Sequence, residues 1–207
     1  MIKKILILGL CLFLFSSGAR AEMLEEDKVI QGIKFPKGTY LYSCESGKFE
    51  AALLSQDTEI QGIKCAKGHI IFYKSGKLEC AYLSQDQEIQ GIKCASYISD
   101  SDGVSFWESG KLKIATLSQD QEIQGIKCAR ETQVWLYESG KLGVAYLSQD
   151  QEIQGIKCAR ETQVKFYESG KLRDAYLSQD TEIQGIEYKQ GNRIVFDENG
   201  EVIKVAE

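Results

Sequence analysis

The chain has 207 residues and is mildly acidic, since 30 Asp and Glu oppose 25 Lys and Arg for a formal net charge of −5. This composition argues against nucleic acid as a partner, because contacts to phosphates need a clustered basic surface. The chain has no phosphate-binding glycine loop and no serine nucleophile elbow, and its single histidine, His69, is predicted to be a solvated turn residue, so we expect neither an enzyme nor a cofactor.

The first 21 residues have the pattern of a secretory signal peptide. Two lysines precede an apolar segment from Ile5 to Phe15, and Ala19-Arg20-Ala21 supplies the small residues for cleavage before Glu22. Residues 22–207 contain no apolar run of the about 20 residues that a membrane-spanning helix needs. We therefore expect an exported protein (periplasmic, cell-surface or secreted) without a transmembrane segment after signal cleavage.

Residues 22–207 are predicted to form a single array of about five repeats of roughly 30 residues. The spacings between successive copies of the phrase Ile-Gln-Gly-Ile are 30, 29, 34, 30 and 30 residues. The copies begin at Ile30, Ile60, Ile89, Ile123, Ile153 and Ile183. The one long spacing comes from extra turn-forming residues at 99–103, which mark a surface loop.

Each repeat contains the pattern of a β-hairpin. Val134 to Tyr137 and Leu142 to Leu147 are rich in strand-forming residues and flank Glu138-Ser139-Gly140-Lys141, in which the glycine suits a left-handed residue after a type I turn. The same pattern recurs at residues 194–205, the predicted C-terminal capping hairpin. No helical apolar period continues for three turns after the leader, so the fold is predicted to be all-β.

The remaining part of each repeat, such as residues 152–158, is predicted to be an extended segment with a bulge or bend at Gly155 that places Ile156 and Cys158 on one face. Two architectures are consistent with this pattern. Successive hairpins would form an elongated antiparallel β-hairpin sheet, whereas one coil per repeat would form a β-solenoid. The Ser-Gly-Lys turn reverses the chain direction, which favours the hairpin sheet.

The element Phe166-Tyr167-Glu168-Ser169-Gly170-Lys171-Leu172, recurring in tandem, resembles the aromatic-x-x-Gly-x-Leu core of bacterial MORN-variant repeats. The resemblance covers most of residues 30–203. The period here is longer than that of a typical MORN unit, and Ile-Gln-Gly-Ile has no obvious counterpart in that family. The resemblance implies rows of β-hairpins and a scaffold or interaction role, with membrane-surface contact among the options, and it implies no catalytic residues.

Four cysteines occupy one phase of the repeat: Cys65, Cys94, Cys128 and Cys158. Phe35 and Tyr188 replace them in the outer copies, which favours a buried apolar position over a metal ligand, and no C-x-x-C pair occurs. In a solenoid, neighbouring cysteines would lie about 4.8 Å apart and could form disulfides, whereas in a sheet with two strands per repeat they would lie about 9.6 Å apart and could not.

Two further cysteines, Cys44 and Cys80, lie outside that phase. An exported chain enters an oxidising space, so these two are candidates for a disulfide with each other.

An acidic pair recurs after each Ser-Gln turn. The pairs are Asp57 with Glu59, Asp86 with Glu88, Asp120 with Glu122, Asp150 with Glu152 and Asp180 with Glu182. Oxygen ligands suit calcium, but the glycine-rich nonapeptide of calcium-binding β-rolls is absent. The favoured interpretation is that each Asp is a turn residue and each Glu a solvated strand-start residue.

The hairpin turns carry the candidate binding row. It consists of Tyr73, Trp107, Tyr137 and Tyr167 before the turns and of Lys77, Lys111, Lys141 and Lys171 within them. The aromatic residues are predicted to pack on the sheet, with stacking on a sugar or peptide as the alternative. The lysines are predicted to give solubility, with contact to an acidic polymer or to lipid headgroups as the alternative.

The sequence therefore predicts an extracytoplasmic binding scaffold that offers an extended β-surface to a multivalent protein or envelope polymer. The alternative is a purely structural envelope component. A hydrolase would need the non-repeated residues His69, Asp100–Asp102 and Arg173-Asp174 to lie together.

Overall fold

A computed structural model of the protein describes residues 20–43, 49–96 and 103–206. Within these ranges the regular secondary structure consists of β-strands, as predicted. The strands are β1 Arg20–Met23, β2 Lys28–Ile30, β3 Ile33–Phe35, β4 Tyr40–Ser43, β5 Phe49–Leu54, β6 Thr58–Ile60, β7 Ile63–Cys65, β8 Gly68–Phe72, β9 Leu78–Ala81, β10 Gln87–Ile89, β11 Ile92–Cys94, β12 Val104–Phe106, β13 Leu112–Thr116, β14 Gln121–Ile123, β15 Ile126–Cys128, β16 Gln133–Leu136, β17 Leu142–Tyr146, β18 Gln151–Ile153, β19 Ile156–Cys158, β20 Gln163–Phe166, β21 Leu172–Tyr176, β22 Thr181–Ile183, β23 Ile186–Tyr188, β24 Arg193–Phe196 and β25 Val202–Ala206.

The chain divides into two compact units. Of the described residues, unit 1 comprises 20–43, 49–87, 96 and 103–110, and unit 2 comprises 88–95 and 111–206. The sheet strands of unit 1 follow the order β1-β4-β5-β8-β9-β12, and those of unit 2 follow the order β13-β16-β17-β20-β21-β24-β25. Neighbours are antiparallel wherever the register is defined, so the repeat-built hairpin sheet is confirmed and a solenoid of single coils is not formed.

The long hairpins of the sheet close as the sequence predicts. In the β16–β17 turn, the Gly140 N–H donates to the Tyr137 carbonyl over 2.8 Å, and the Tyr137 N–H donates to the Lys141 carbonyl over 2.8 Å. Gly140 has φ 88°, the left-handed conformation that glycine adopts without a Cβ penalty. The last hairpin, β24–β25, closes in the same way at Gly200, with φ 93°.

The Ile-Gln-Gly-Ile segments differ from the prediction. Each is a two-residue turn joining two three-residue strands, not one extended segment with a bulge. Ile153 is the direct partner of Ile156 in the β18–β19 pair. Gln154 and Gly155 have φ 51° and 83°, and positive φ at both central residues defines a type I′ turn, which matches the twist of a tight hairpin. We call the six hairpins of this kind the small hairpins: β2–β3, β6–β7, β10–β11, β14–β15, β18–β19 and β22–β23.

The small hairpins cover one face of the sheet in each unit. In unit 1, the Phe35 ring of β3 packs edge-on against Phe49 of β5 and Phe72 of β8, with centroid distances of 5.4 and 6.2 Å. In unit 2, Ile153 and Cys158 are buried along with the alternate residues of the strands. We call this the covered face and its opposite the open face.

Candidate binding surface on the open face of the sheet

The open face of unit 2 carries a row of directly paired residues that runs across seven strands. We call it the central row. Its members in strand order are Ile114, Trp135, Val144, Lys165, Asp174, Val195 and Lys204. Except for buried Asp174 and exposed Lys204, these residues are half-buried, so the row forms a surface and not a core.

A second row, the flanking row, lies two residues along the strands. Its members are Thr116, Gln133, Tyr146, Gln163, Tyr176 and Arg193. The two rows together place one indole, two phenols, two amides and several cationic groups on one uncovered surface. This mixture of apolar and hydrogen-bonding groups is suited to recognising a ligand.

The central row changes in chemical class between copies, whereas the covered-face positions stay apolar. Val134 and Val164 hold the same covered position in consecutive repeats, and the next residues are Trp135 and Lys165. Sequence reasoning missed this surface, although the contrast between constant and variable positions in aligned copies was an available signal.

Asp174 is the centre of a charged cluster on the open face. Its residue is only 3% exposed, and the Arg193 Nε donates to both carboxylate oxygens over 2.9 and 3.1 Å. The Lys165 Nζ lies 4.0 Å from the same carboxylate. Hydrogen bonding to Asp174 raises the pKa of Arg193. Burial lowers the pKa of Lys165, an effect that Asp174 opposes and that Arg193 and Arg173 reinforce.

The Trp135 ring occupies space that is free because Gly143 has no side chain. Gly143 occupies a bulge of β17 opposite Trp135, and a Cβ there would overlap the indole ring. The ring also packs edge-on against Tyr137, with a centroid distance of 4.3 Å. In the following repeat, Arg173 holds the position of Gly143 and stacks over the Tyr167 ring at 5.8 Å.

The predicted aromatic residues before the turns link neighbouring hairpins. The Tyr137 hydroxyl donates to the Phe166 carbonyl over 2.9 Å, and the Tyr167 hydroxyl donates to the Phe196 carbonyl over 2.8 Å. In unit 1, the Tyr73 hydroxyl donates to the Phe106 carbonyl over 2.7 Å. These residues and Trp107 are half-buried, which agrees with the packing interpretation, and their predicted role in binding stays a prediction.

The lysines of the predicted row are exposed at the turns, where glutamates accompany most of them. The Lys171 Nζ donates to the Glu198 carbonyl over 2.8 Å, and the Lys141 Nζ lies 3.4 Å from the Ser169 carbonyl. Lys111 in unit 2 and Lys77 in unit 1 are also exposed. Because a glutamate precedes the lysine within most of these turns, the turns do not form a purely basic row.

The glutamine of each small hairpin forms a bidentate link to the next long hairpin. The Gln154 amide donates to the Gly170 carbonyl over 2.9 Å and accepts from the Leu172 N–H over 3.0 Å. Gln61, Gln124 and Gln184 make the same pair of bonds in other repeats. This role of Ile-Gln-Gly-Ile was not predicted, and it explains why a long amide side chain recurs in the turn.

The aspartates of the recurring acidic pairs have a structural role. The Asp150 carboxylate accepts the Arg160 N–H over 2.8 Å, and Asp27, Asp57, Asp86, Asp120 and Asp180 accept the equivalent N–H ten residues on. The backbone hydrogen bond lowers the pKa of Asp27 and of Asp180. The interpretation as turn residues accounts for these aspartates, and the glutamates beside them are exposed on the small hairpins.

The four in-phase cysteines are buried free thiols. Each is 0% exposed, and each donates to the carbonyl two residues earlier, as Cys158 does to Ile156 over 3.3 Å. Burial is the main cause that raises the pKa of each thiol to about 12. Phe35 holds the equivalent position in an outer repeat and is also 0% exposed. Both residue types therefore agree with the predicted buried apolar position.

The remaining candidates are placed as follows. Cys80 lies half-buried on the open face of unit 1, in β9, whereas its predicted disulfide partner Cys44 falls outside the described residues. His69 is exposed within β8, so the expectation of a turn residue is wrong. Asp100–Asp102 fall outside the described residues, and Arg173-Asp174 lie in β21 of unit 2.

Two negative findings apply to residues 20–43, 49–96 and 103–206. No helix there is long and apolar enough to cross a membrane, and no group of three or more His, Cys, Asp and Glu side chains there could hold a metal ion. No protein-family model matches the chain, and the search of curated proteins found no match. The MORN-variant resemblance therefore stays a prediction.

Proposed function

We propose that the protein is an exported, non-enzymatic binding scaffold, and that the open face of the unit 2 sheet is its binding surface. One observation carries the proposal. On the same strands, the covered-face positions keep an apolar residue in each copy, as Val134, Val164 and Ile194 do. The central row instead changes in chemical class from Trp135 to Lys165 to Val195. Packing restricts the covered face alone, so the open-face positions are available for contact with a partner.

The geometry of the open face suits an extended partner. Its backbone groups are paired between neighbouring strands, so recognition must use side chains. Side chains on alternate strands lie about 10 Å apart, so several units of a polymer can bind at once. Such a surface gains affinity from many weak contacts, which favours an envelope polymer over a small molecule.

Co-sedimentation with insoluble bacterial cell-wall material tests the proposal. The purified protein is compared with an open-face variant, Trp135→Ser with Tyr176→Ser, and with a turn variant, Lys141→Gln with Lys171→Gln. We expect the wild type and the turn variant to sediment with the wall material and the open-face variant to remain in solution.

Two outcomes would contradict the proposal. Loss of sedimentation in the turn variant alone would assign binding to the lysines of the hairpin turns. Absence of sedimentation for the wild type would instead support a purely structural component without a discrete ligand. Circular dichroism of each variant shows whether a loss reflects unfolding.

A further inference from the structure

We propose that the open face of unit 2 binds an acidic polysaccharide at a site formed by Lys165, Arg173, Arg193 and Lys204, with Tyr146, Tyr176 and Trp135 beside it. This inference rests on the proposed function and names the ligand class.

The charge of this region is opposite to that of the whole chain. The protein carries a net charge of −5, yet the strands β20, β21, β24 and β25 present Lys165, Arg193 and Lys204 on their open face. Among the described residues of the central and flanking rows, Asp174 is the one acid. An anionic partner is therefore attracted to this face and repelled by most of the remaining surface.

Asp174 does not neutralise the region. Arg193 binds its carboxylate through two nitrogens, so one positive charge is matched by the one negative charge. The Lys165 ammonium lies farther from it, at 4.0 Å, and is 23% exposed. Burial removes part of the water around the Lys165 ammonium. A ligand carboxylate bound there would replace that water with a charge-assisted hydrogen bond. Burial is the main cause that lowers the pKa of Lys165, so the attraction of Asp174 does not fully offset the loss of water around this ammonium.

The aromatic residues provide the second half of the site. Tyr146 and Tyr176 stand in the flanking row on β17 and β21, two strands apart, which is about 10 Å and comparable to a disaccharide. Gln163 lies between them and offers an amide to sugar hydroxyls. Trp135 adds an aromatic surface next to Val144 in the central row. Aromatic rings with one polar group suit a ligand that has apolar C–H faces and many hydroxyls.

A polysaccharide fits this face better than an acidic peptide does. Peptides commonly add a strand to a free sheet edge or insert side chains into a groove. The strands β20, β21 and β24 are paired on both sides, and of the strands that carry the site only β25, the last in the order, has an unpaired edge. Lys165, Tyr146, Tyr176 and Arg193 therefore lie on a sheet face away from any edge. The cavity found in unit 2 lies elsewhere, at the small hairpins and turns around Gln90, Gln124 and Gly140.

Isothermal titration calorimetry with polygalacturonate at low salt tests the site. The variant Lys165→Gln with Lys204→Gln is compared with Lys127→Gln with Lys157→Gln, which removes the same charge from exposed positions on the small hairpins. We expect polygalacturonate to bind the wild type, the first variant to bind about tenfold more weakly, and the control to change by less than about twofold. Lys204→Gln alone, at an exposed position, is expected to give part of the loss should the double variant not fold.

Neutral dextran and polyglutamate complete the experiment, and both are expected to bind more weakly than polygalacturonate. No binding of polygalacturonate, an equal loss in both double variants, or equally tight binding of polyglutamate would each overturn the inference. If wall sedimentation still depends on Trp135 and Tyr176 in that case, the ligand class is wrong and the proposed function stands. If sedimentation is also independent of them, both fail.

Discussion

The covered face and the open face of unit 2 belong to the same strands, yet their side chains change between copies in different ways. Val134 and Val164 are identical and 0% exposed, whereas the adjacent Trp135 and Lys165 share neither size nor charge. The covered face must fill a fixed space beneath the small hairpins, and close packing tolerates little change in volume. The open face is free of that constraint, so its residues can be set by a partner.

The covered-face thiols give the largest expected effect. Burial raises the pKa of Cys128 and Cys158 from 9.0 to about 12, so the unfolded chain ionises first as pH rises. Their contribution to the free energy of unfolding is therefore complete below about pH 9 and is lost as pH rises from 9 towards 12. At pH 10 the loss is about 1.4 kcal/mol for each thiol.

Urea unfolding at pH 7 and pH 10 measures this loss. The variant Cys128→Val with Cys158→Val should lose about 3 kcal/mol less than the wild type between the two pH values, since the other titrating groups are common to both. The same pH dependence in both proteins would show that the thiols are not buried.

Truncating one valine on each face sharpens the comparison. Val164→Ala removes two buried methyl groups and leaves a cavity, so we expect the free energy of unfolding to fall by about 2 kcal/mol. Val195→Ala makes the same change on the open face and should cost less than about 1 kcal/mol. Chemical unfolding of both variants measures the difference, and equal costs would mean that the two faces are buried to the same extent.

The glutamine links are expected to give a smaller effect. Gln154→Asn keeps a residue that tolerates positive φ but shortens the amide, so the bonds to Gly170 and Leu172 are lost. Because these groups can exchange with water, we expect a loss of about 1 kcal/mol. Thermal unfolding checks this against Gln149→Asn, an exposed glutamine in the preceding turn. A loss of the same size at Gln149 would remove the case for a specific link.

The smallest effect on stability is expected at Gly143. A methyl group in Gly143→Ala would displace the Trp135 ring on the open face, where the ring can move into solvent. We expect the free energy of unfolding to change by less than about 1 kcal/mol, since the covered face is untouched. The tryptophan fluorescence should shift to longer wavelength, and an unchanged spectrum would show that the ring does not rest on this glycine. Val195→Ala serves as the control, because Val195 lies on the same face but on β24, four strands from Trp135, and should leave the spectrum unchanged.

Much of the fold could be predicted from the sequence because local turn chemistry determines it. The glycine in Glu138-Ser139-Gly140-Lys141 indicates the long hairpin, and the structure confirms that turn. The small hairpin was missed because Gln154-Gly155 is not among the Asn-Gly and Asp-Gly pairs that mark a type I′ turn. The long amide is needed at that position because a shorter asparagine would not reach the backbone of the next hairpin.

The cross-strand rows of the open face could not be predicted from the sequence because they depend on the pairing register. Trp135, Val144 and Lys165 are neighbours across three strands, although Trp135 and Lys165 belong to successive repeats of the chain. The bulges opposite Trp135 and Lys165 also shift the register by one residue within each hairpin. Their recurring position just before the turns identified the aromatic residues there, but nothing in that spacing indicated these cross-strand rows.

Hydroxyl-radical footprinting of the protein bound to insoluble cell-wall material tests the central claim most directly. If the open face of unit 2 is the binding surface, Trp135, Tyr146 and Tyr176 should become protected relative to the free protein, whereas exposed Ile186 on the small hairpins should remain reactive. Protection of Ile186 with unchanged reactivity at Trp135, Tyr146 and Tyr176 would contradict it.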